Sequence, residues 1–225
     1  MRTLRHAGHI AAKDLRIELR TRDILTAVGL FALLIVVIAS FSFPTAGDNQ
    51  EHIAAGLLWM AFLFAALLGI GRSLAMEHEH ACMDALVTSP VPRESIYLGK
   101  VLSNLAFVGV VQLLLLPLSV VLLQLEPGRG IGLLLLTVVL ATVALVAITT
   151  LLSTMATHTR AREAVLPVLV IPVAVPVLIA AVQATRIALT GEMVGAALPW
   201  LLLLTAAAAL FLLLGLSTFH HVLEE

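Results

Sequence analysis

The segment IGLLLLTVVLATVALVAITTLL, from Ile131 to Leu152, contains no charged residue and decides the class of fold. A bilayer core of about 30 Å takes roughly 20 helical residues to cross, so this run predicts a transmembrane helix. The whole chain agrees, because 60% of its 225 residues are hydrophobic and only 12% are charged, with a mean hydropathy of +1.08. Soluble domains carry about 25% charged residues. The composition therefore excludes a soluble enzyme, a nucleic-acid-binding module and a disordered chain.

Further charge-free apolar runs lie on both sides of this segment. The six predicted spans are Leu25–Phe43, Ile53–Ile70, Val101–Leu123, Ile131–Leu152, Val165–Val182 and Leu198–Leu216. No connection between them is long enough for a separate domain. We therefore expect an all-α polytopic membrane protein with one membrane domain, residues 24–219, preceded by a helix at residues 1–23 and followed by a short tail at residues 220–225.

The basic residues lie almost entirely on one side of these spans. Of 13 lysines and arginines, all but Arg129 and Arg186 fall in the N-terminal segment, the second loop or the fourth loop. Short cytoplasmic loops carry the excess of basic residues in membrane proteins. Both termini are therefore predicted to be cytoplasmic.

The N-terminal segment has a helical charge pattern. Basic residues recur at spacings of three and four, with Leu4, Ala11, Leu15 and Leu19 on a neighbouring stripe and Asp14 and Glu18 on another side. A basic amphipathic helix of this kind should lie in the membrane interface, with its cations near anionic headgroups. The predicted basic face includes Arg5, Lys13, Arg16 and Arg20. The same face could also bind a cytoplasmic partner.

The predicted spans contain polar residues but no ionisable ones. The polar residues are Asn104 and Gln112 in the third span and Thr137, Thr142, Thr149 and Thr150 in the fourth. They either form hydrogen bonds between helices or line a substrate path. The fifth span contains Pro167, Pro172 and Pro176, each of which removes a helical hydrogen bond, so we expect this span to be kinked or locally unwound.

The chain has no recognisable ATP-binding motif, metal site or intrachain disulfide. A P-loop requires G-x-x-x-x-G-K-[ST], but the only lysines are Lys13 and Lys100, and Val101 follows Lys100. Any energy from ATP must therefore come from a separate chain. The sequence Glu77-His78-Glu79-His80 is only a weak metal-site pattern, because no third ligand follows at a useful spacing. Cys82 is the single cysteine, and no bound cofactor is expected.

The longest cytoplasmic connection, Gly71–Lys100, reads GRSLAMEHEHACMDALVTSPVPRESIYLGK. Residues 76–87 can form a short helix, which the prolines at positions 90 and 92 would end. A new helix beginning near Arg93 then leads into the third span. A short helix held between two spans at the membrane surface is suited to transmitting a push from a partner.

This region also carries a resemblance to a known family. The run GLLWMAFLFAALLGIGRSLAMEHEHACMDALVTSPVPRESIYLGKVLSN, from Gly56 to Asn104, resembles the CcmB family of haem exporter proteins, as do KDLRIELRTRD at Lys13–Asp23 and VLPVLVIPVAVPVLI at Val165–Ile179. The chain departs from the family pattern at Gly71-Arg72 and Ala81-Cys82.

The resemblance implies an ABC-2-like permease subunit that acts in cytochrome c maturation in the bacterial cytoplasmic (inner) membrane. It also implies a homodimer, an ATPase partner of the CcmA type that supplies ATP hydrolysis, and a haem-handling membrane subunit; whether haem touches this chain is left open. The coupling loop would be Gly71–Lys100, with Glu77, Asp84, Pro90 and Arg93 as its candidate residues. The alternatives are an exporter permease for a lipid, polyketide or drug, a passive scaffold or channel, and an intramembrane enzyme.

Overall fold

The computed structural model describes residues 2–21, 23–42, 50–79, 93–125, 128–156 and 162–222, and most of their side chains. Within these ranges the secondary structure is helical. The helices are α1 (Arg2–Thr21), α2 (Asp23–Ser42), α3 (Gln50–Glu79), α4 (Arg93–Leu122), α5 (Ile131–Ala156), α6 (Arg162–Thr190) and α7 (Val194–Val222), with a 3₁₀ turn at Gly128–Gly130. The predicted all-α fold with a helix before the first span is confirmed.

The helices α2 to α7 are each long and apolar enough to cross a membrane. Their membrane-compatible segments are Ile24–Ser42, Glu51–Gly71, Glu94–Leu122, Ile131–Ser153, Val165–Thr190 and Val194–Thr218. These six segments match the six predicted spans in number and order. An even number of crossings returns the chain to the side on which it started, so α1 and the end of α7 lie on the same side of the bundle.

Three boundary predictions were wrong because helices continue past the apolar runs. The fifth span extends to Thr190 and the sixth begins at Val194, so the connection between the two predicted spans, residues 183–197, is reduced to a turn. Arg186 lies inside α6, where its guanidinium reaches Glu192 at 2.6 Å; long basic side chains can reach the interface in this way. On the side predicted to be cytoplasmic, α3 continues to Glu79, so residues 76–79 belong to that helix rather than to a separate one.

The spans α3 and α5 form the centre of the bundle. Within an 18-residue apolar stretch of each span, 67% of the residues of α3 and 61% of those of α5 are buried, compared with 17% for α7. The helix α5 packs against α6 and α7 on one side and α4 on the other, while α3 contacts α2, α4 and α6. The core contains large buried side chains from both central helices, including Trp59, Phe62 and Leu145.

The helix α1 packs mainly against α4 and makes little contact with the neighbouring α2. Among the described side chains, residues 7–16, the buried apolar ones are Ala7 and Ile10, whereas Ala11 and Leu15 of the predicted stripe are half-buried. The helix α1 is therefore a packed element of the protein, and its placement in the membrane interface stays a prediction.

Candidate functional site

The junction between α1 and α4 contains a buried ion pair. The Lys100 ammonium lies 2.9 Å from Oδ2 of Asp14, and the Lys100 side chain is only 4% exposed. Lys13 reaches the other oxygen, Oδ1, at 3.2 Å from the more exposed side. A buried charge without its partner destabilises a protein by several kcal/mol, so each member of the pair favours the docked position of α1.

A glycine in α4 allows the two helices to approach closely. A Cβ atom placed on Gly99 would lie 2.8 Å from Cβ of Ile10 and 3.2 Å from the carbonyl oxygen of Ala7. These separations are shorter than van der Waals contact. Gly99 therefore lets α1 rest directly on the backbone of α4, beside the Lys100 ion pair.

Tyr97 connects the same part of α4 to the last helix. Its side chain is fully buried, and its hydroxyl group donates a hydrogen bond to the carbonyl oxygen of Phe211 in α7 at 3.3 Å. The ring lies against Gly215, where a Cβ atom would collide with it. The first two turns of α4 are thus held between α1 on one side and α7 on another.

This junction lies at the C-terminal end of the predicted coupling loop, Gly71–Lys100. The helix α4 begins at Arg93, and Lys100 follows seven residues later, about 10 Å along the helix axis. Glu77 and Arg93 lie in helices α3 and α4, but their side chains are outside the described residues, as are Asp84 and Pro90 entirely. Their role in coupling therefore stays a prediction.

The predicted basic face of α1 is described in part. Lys13 and Arg16 are exposed, while the side chains of Arg5 and Arg20 lie outside the described residues. That this face meets lipid headgroups stays a prediction. Asp14, which the sequence pattern assigned to a different side of the helix, faces Lys100 of α4. Sequence reasoning missed this partnership, although an acidic residue within a basic helix is a signal that could have prompted a search for its cation.

Two predicted polar residues of the third span do bond to the fourth. Asn104 donates from Nδ2 to Oγ1 of Thr150 at 2.9 Å, and the Thr142 hydroxyl lies 2.8 Å from Oε1 of Gln112. Thr137 and Thr149 instead bond to carbonyl oxygens of their own helix, at Leu133 and Leu145 respectively. The interhelical interpretation is therefore confirmed for two pairs that join α4 to α5.

A third buried polar contact was not predicted. The indole nitrogen of Trp59 in α3 donates to Oγ1 of Thr185 in α6 at 2.9 Å. Both side chains are fully buried. Thr185 follows the predicted end of the fifth span, so its burial could be foreseen only with the correct helix boundary.

An apolar cavity of about 560 Å³ lies among α2, α3 and α6. Its walls include Phe31, Phe64, Gly71, Leu166 and Pro167. Gly71 and Leu166 belong to the ends of α3 and α6 that adjoin the cytoplasmic connections, so the cavity lies in the predicted cytoplasmic half of the bundle. The α-helix continues through Pro167, Pro172 and Pro176; local unwinding was wrong, and the kink stays a prediction.

Comparison with known proteins gives the family. The model of the CcmB protein family matches residues 5–222. This chain belongs to the CcmB family. It is 30% identical over 198 residues to heme exporter protein B of Rhodobacter capsulatus, covering 88% of this chain and 90% of that protein. It is 32% identical over 175 residues to heme exporter protein B of Pseudomonas aeruginosa, covering 77% and 78%.

The CcmB match includes the features of the junction as well as the spans. Asp14, Tyr97, Lys100 and Gly215 all lie within the matched residues. The helix α1 is therefore included in the matched region from its residue 5 onward.

Proposed function

We propose that this CcmB-family chain is the permease subunit of an ABC-type complex for haem export or delivery in cytochrome c maturation. ATP hydrolysis on a separate subunit of the CcmA type would drive it, and a haem-handling membrane subunit and a second copy of this chain would complete the complex. The site of action would be the bacterial cytoplasmic membrane.

The similarity to heme exporter protein B carries this proposal. The relatives from Rhodobacter capsulatus and Paracoccus denitrificans align over 90% and 89% of their lengths. The likeness thus involves nearly a whole permease rather than one shared segment. The sequence also favours a separate ATPase subunit, because it contains no P-loop to bind ATP.

The junction of α1 and α4 supports a mechanical role for the coupling loop. A push on the loop would reach the first turn of α4, which begins at Arg93. In this part of α4, Lys100 pairs with Asp14 of α1, and Tyr97 donates a hydrogen bond to Phe211 of α7. Packed helices shift as rigid bodies more readily than they deform, so movement at the loop would reach both neighbours.

The cavity among α2, α3 and α6 could contact an apolar part of the cargo. Its described lining is aliphatic or aromatic, with Gly71 and Pro167 at one end. Such walls would contact an apolar macrocycle or tail without ligating a metal. In this proposal, haem is therefore a transported or delivered group and not a resident cofactor of this chain.

Deletion of the gene, followed by haem staining of c-type cytochromes, tests this function. We expect the stained bands to disappear and to return when the unaltered chain is expressed. Normal cytochromes in the deletion strain would contradict the maturation role. They would favour the alternative of an exporter permease for a lipid, polyketide or drug.

The ATPase partnership is tested by reversing charges in the coupling loop. The variants Glu77→Lys and Arg93→Glu should reduce co-purification with the CcmA-type ATPase. The matched control is Glu192→Gln, which changes an acidic residue in the turn between α6 and α7, at the opposite membrane surface. Equal recovery of the ATPase with all three variants would contradict the coupling-loop proposal.

A further inference from the structure

Two hydrogen bonds fix how α4 and α5 are aligned across the membrane. Thr142 is the midpoint of the α5 span, Ile131–Ser153, and its hydroxyl lies 2.8 Å from Oε1 of Gln112 in α4. Asn104, eight residues before Gln112, bonds to Thr150, eight residues after Thr142, at 2.9 Å. The two antiparallel helices are therefore in register, and Gln112 lies at the midplane of the bilayer.

This register places Lys100 and the docked α1 at the depth of the lipid headgroups. Lys100 precedes Gln112 by twelve residues of the same helix, or about 18 Å along its axis, and a typical tilt of about 20° reduces this depth only to about 17 Å. The hydrocarbon core ends about 15 Å from the midplane, and the headgroup layer ends about 20–22 Å from it. Since Ile10 of α1 packs against Gly99 and Asp14 pairs with Lys100, α1 lies at the same depth.

The contact with α4 also fixes which face of α1 is turned away from the protein. Ala7 and Ile10 are buried against α4, whereas His9, Lys13 and Arg16 are exposed. The three exposed residues recur at spacings of four and three, so they share one face of the helix. The exposed face of α1 is therefore the basic one, and it lies among the headgroups.

Asp14 does not reduce the positive charge of this exposed face by much. It is the only acidic residue among the described side chains of α1, residues 7–16, and its side chain is 13% exposed because Oδ2 is paired with Lys100. Lys13 contacts Oδ1 at 3.2 Å, yet its own side chain is 45% exposed. Glu94 of α4 is exposed as well, but it lies about 9 Å further from the midplane than Lys100. The buried ion pair thus leaves the cations of α1 available to a ligand.

We propose that Lys13 and Arg16 form a binding site for anionic phospholipid headgroups, such as phosphatidylglycerol, in preference to zwitterionic ones. Residues three apart on a helix have Cβ atoms about 5–6 Å apart, so both cations can contact one phosphate, and the guanidinium can bind its oxygens in a bidentate way. A zwitterionic headgroup offers the same phosphate but cancels its charge with a cation of its own. Headgroup depth favours lipid over the other partner of a basic face, an acidic surface of the soluble ATPase subunit.

Fluorescence quenching in nanodiscs tests this site on the full chain. In a Cys82→Ser background, Ala12→Cys carries a bimane fluorophore on the exposed face. The quencher is nitroxide-labelled phosphatidylglycerol or phosphatidylcholine, added at equal mole fraction to phosphatidylcholine nanodiscs. We expect an association constant about fivefold higher for phosphatidylglycerol, and a lower ratio in about 1 M salt, which screens exposed charges. Equal quenching by the two lipids would overturn the proposal.

Two sets of variants show whether the named cations cause this preference. Lys13→Gln and Arg16→Gln together should bring the ratio of the two association constants close to one. The matched control, Arg186→Gln, removes a cation in the ion pair beside the turn between α6 and α7 and should leave the ratio unchanged. A preference that survives in the double variant would overturn the proposal. The salt dependence tests the same charges without substituting either cation, so a folding defect in the double variant does not remove the test.

Addition of the CcmA-type ATPase distinguishes a lipid from a protein partner. When the ATPase binds to the labelled chain in nanodiscs that contain phosphatidylglycerol, we expect quenching by nitroxide-labelled phosphatidylglycerol to stay unchanged. Recovery of the ATPase with the Lys13→Gln/Arg16→Gln variant should also equal that of the parent. Loss of quenching when the ATPase binds, together with poorer recovery by this variant, would identify the basic face as a protein contact and would overturn the lipid site.

Discussion

The ammonium nitrogen of Lys100 lies 2.9 Å from a carboxylate oxygen of Asp14, inside the contact between α1 and α4. This pair joins the first helix to the helix that begins within the predicted coupling loop, Gly71–Lys100. It places a charged interaction where the composition of the flanking span indicates only apolar packing. The contribution of this ion pair to the free energy of unfolding can be measured directly.

Removing one member of this pair should destabilise the protein. We expect Asp14→Asn or Lys100→Met alone to lower the free energy of unfolding by about 3 kcal/mol, because each leaves a buried charge without its partner. The double variant Asp14→Leu/Lys100→Met should recover most of the loss. Unfolding by SDS titration in mixed micelles measures these differences. Lys13→Ala is the control and should change stability by less than about 1 kcal/mol, since its contact is more exposed.

Gly215 should not tolerate a side chain. A methyl group there collides with the Tyr97 ring, and forcing extra atoms into a packed core destabilises by about 1–3 kcal/mol. We expect Gly215→Ala to lower the thermal midpoint, and Tyr97→Leu to offset part of that loss in the double variant. Gly132→Ala, at an open helical position, should be neutral or stabilising. A Gly215→Ala protein as stable as the parent would contradict the close contact.

Gly130 should be more sensitive still, because its neighbour is backbone. A Cβ atom on this residue would collide with the carbonyl oxygen of Ala188 in α6, which cannot rotate away. We expect Gly130→Ala to separate the start of α5 from the end of α6 and to increase proteolysis at that membrane surface. The rate of cleavage in reconstituted vesicles measures this effect. An unchanged rate, with Gly132→Ala as the reference, would argue against the contact.

The hydrogen bond between Asn104 and Thr150 should have a modest coupling energy. A double-mutant cycle with Asn104→Leu and Thr150→Val should give about 0.6 kcal/mol, the average for such bonds in membrane proteins. Unfolding of the four proteins in mixed micelles provides the cycle. A coupling near zero would mean that the two side chains act independently.

Membrane orientation can be tested with single cysteines. Met193 lies in the turn between α6 and α7 and is 85% exposed. In a Cys82→Ser background, Met193→Cys should react with an impermeant maleimide in spheroplasts, whereas Lys13→Cys should react only after lysis. The reverse pattern would contradict the positive-inside prediction.

The sequence is sufficient to predict the spans because length and apolar composition alone define them. Which face of a span is buried is a different matter. Leu113 is 75% exposed, whereas Leu115, two residues later, is buried. Lipid is as apolar as a protein core, so a leucine can lie on either the lipid-facing or the buried face of a span. The periodicity of apolar residues therefore does not show which face is buried.

The sequence identifies polar residues that could bond between spans, but it does not predict which of them pair. Gln112 and Thr142 are recognisable as polar residues within spans, yet their pairing depends on how α4 and α5 are aligned along the membrane normal. The Asp14–Lys100 pair depends on contact between two helices that are distant in the chain. The Trp59–Thr185 bond depends on the continuation of α6 past its apolar run. Each of these is a property of tertiary packing rather than of a local pattern.

The Asp14–Lys100 pair also has a consequence for biogenesis. The two residues are 86 positions apart, and at about 5–20 residues per second their synthesis is separated by roughly 4–17 s. During that interval α1 has been made, but the surface of α4 on which it docks has not. Asp14 must therefore stay hydrated at the membrane surface until the third span arrives. The final position of the first helix is set by the fourth, so a ribosome that stalls before Lys100 leaves the amino-terminal segment undocked.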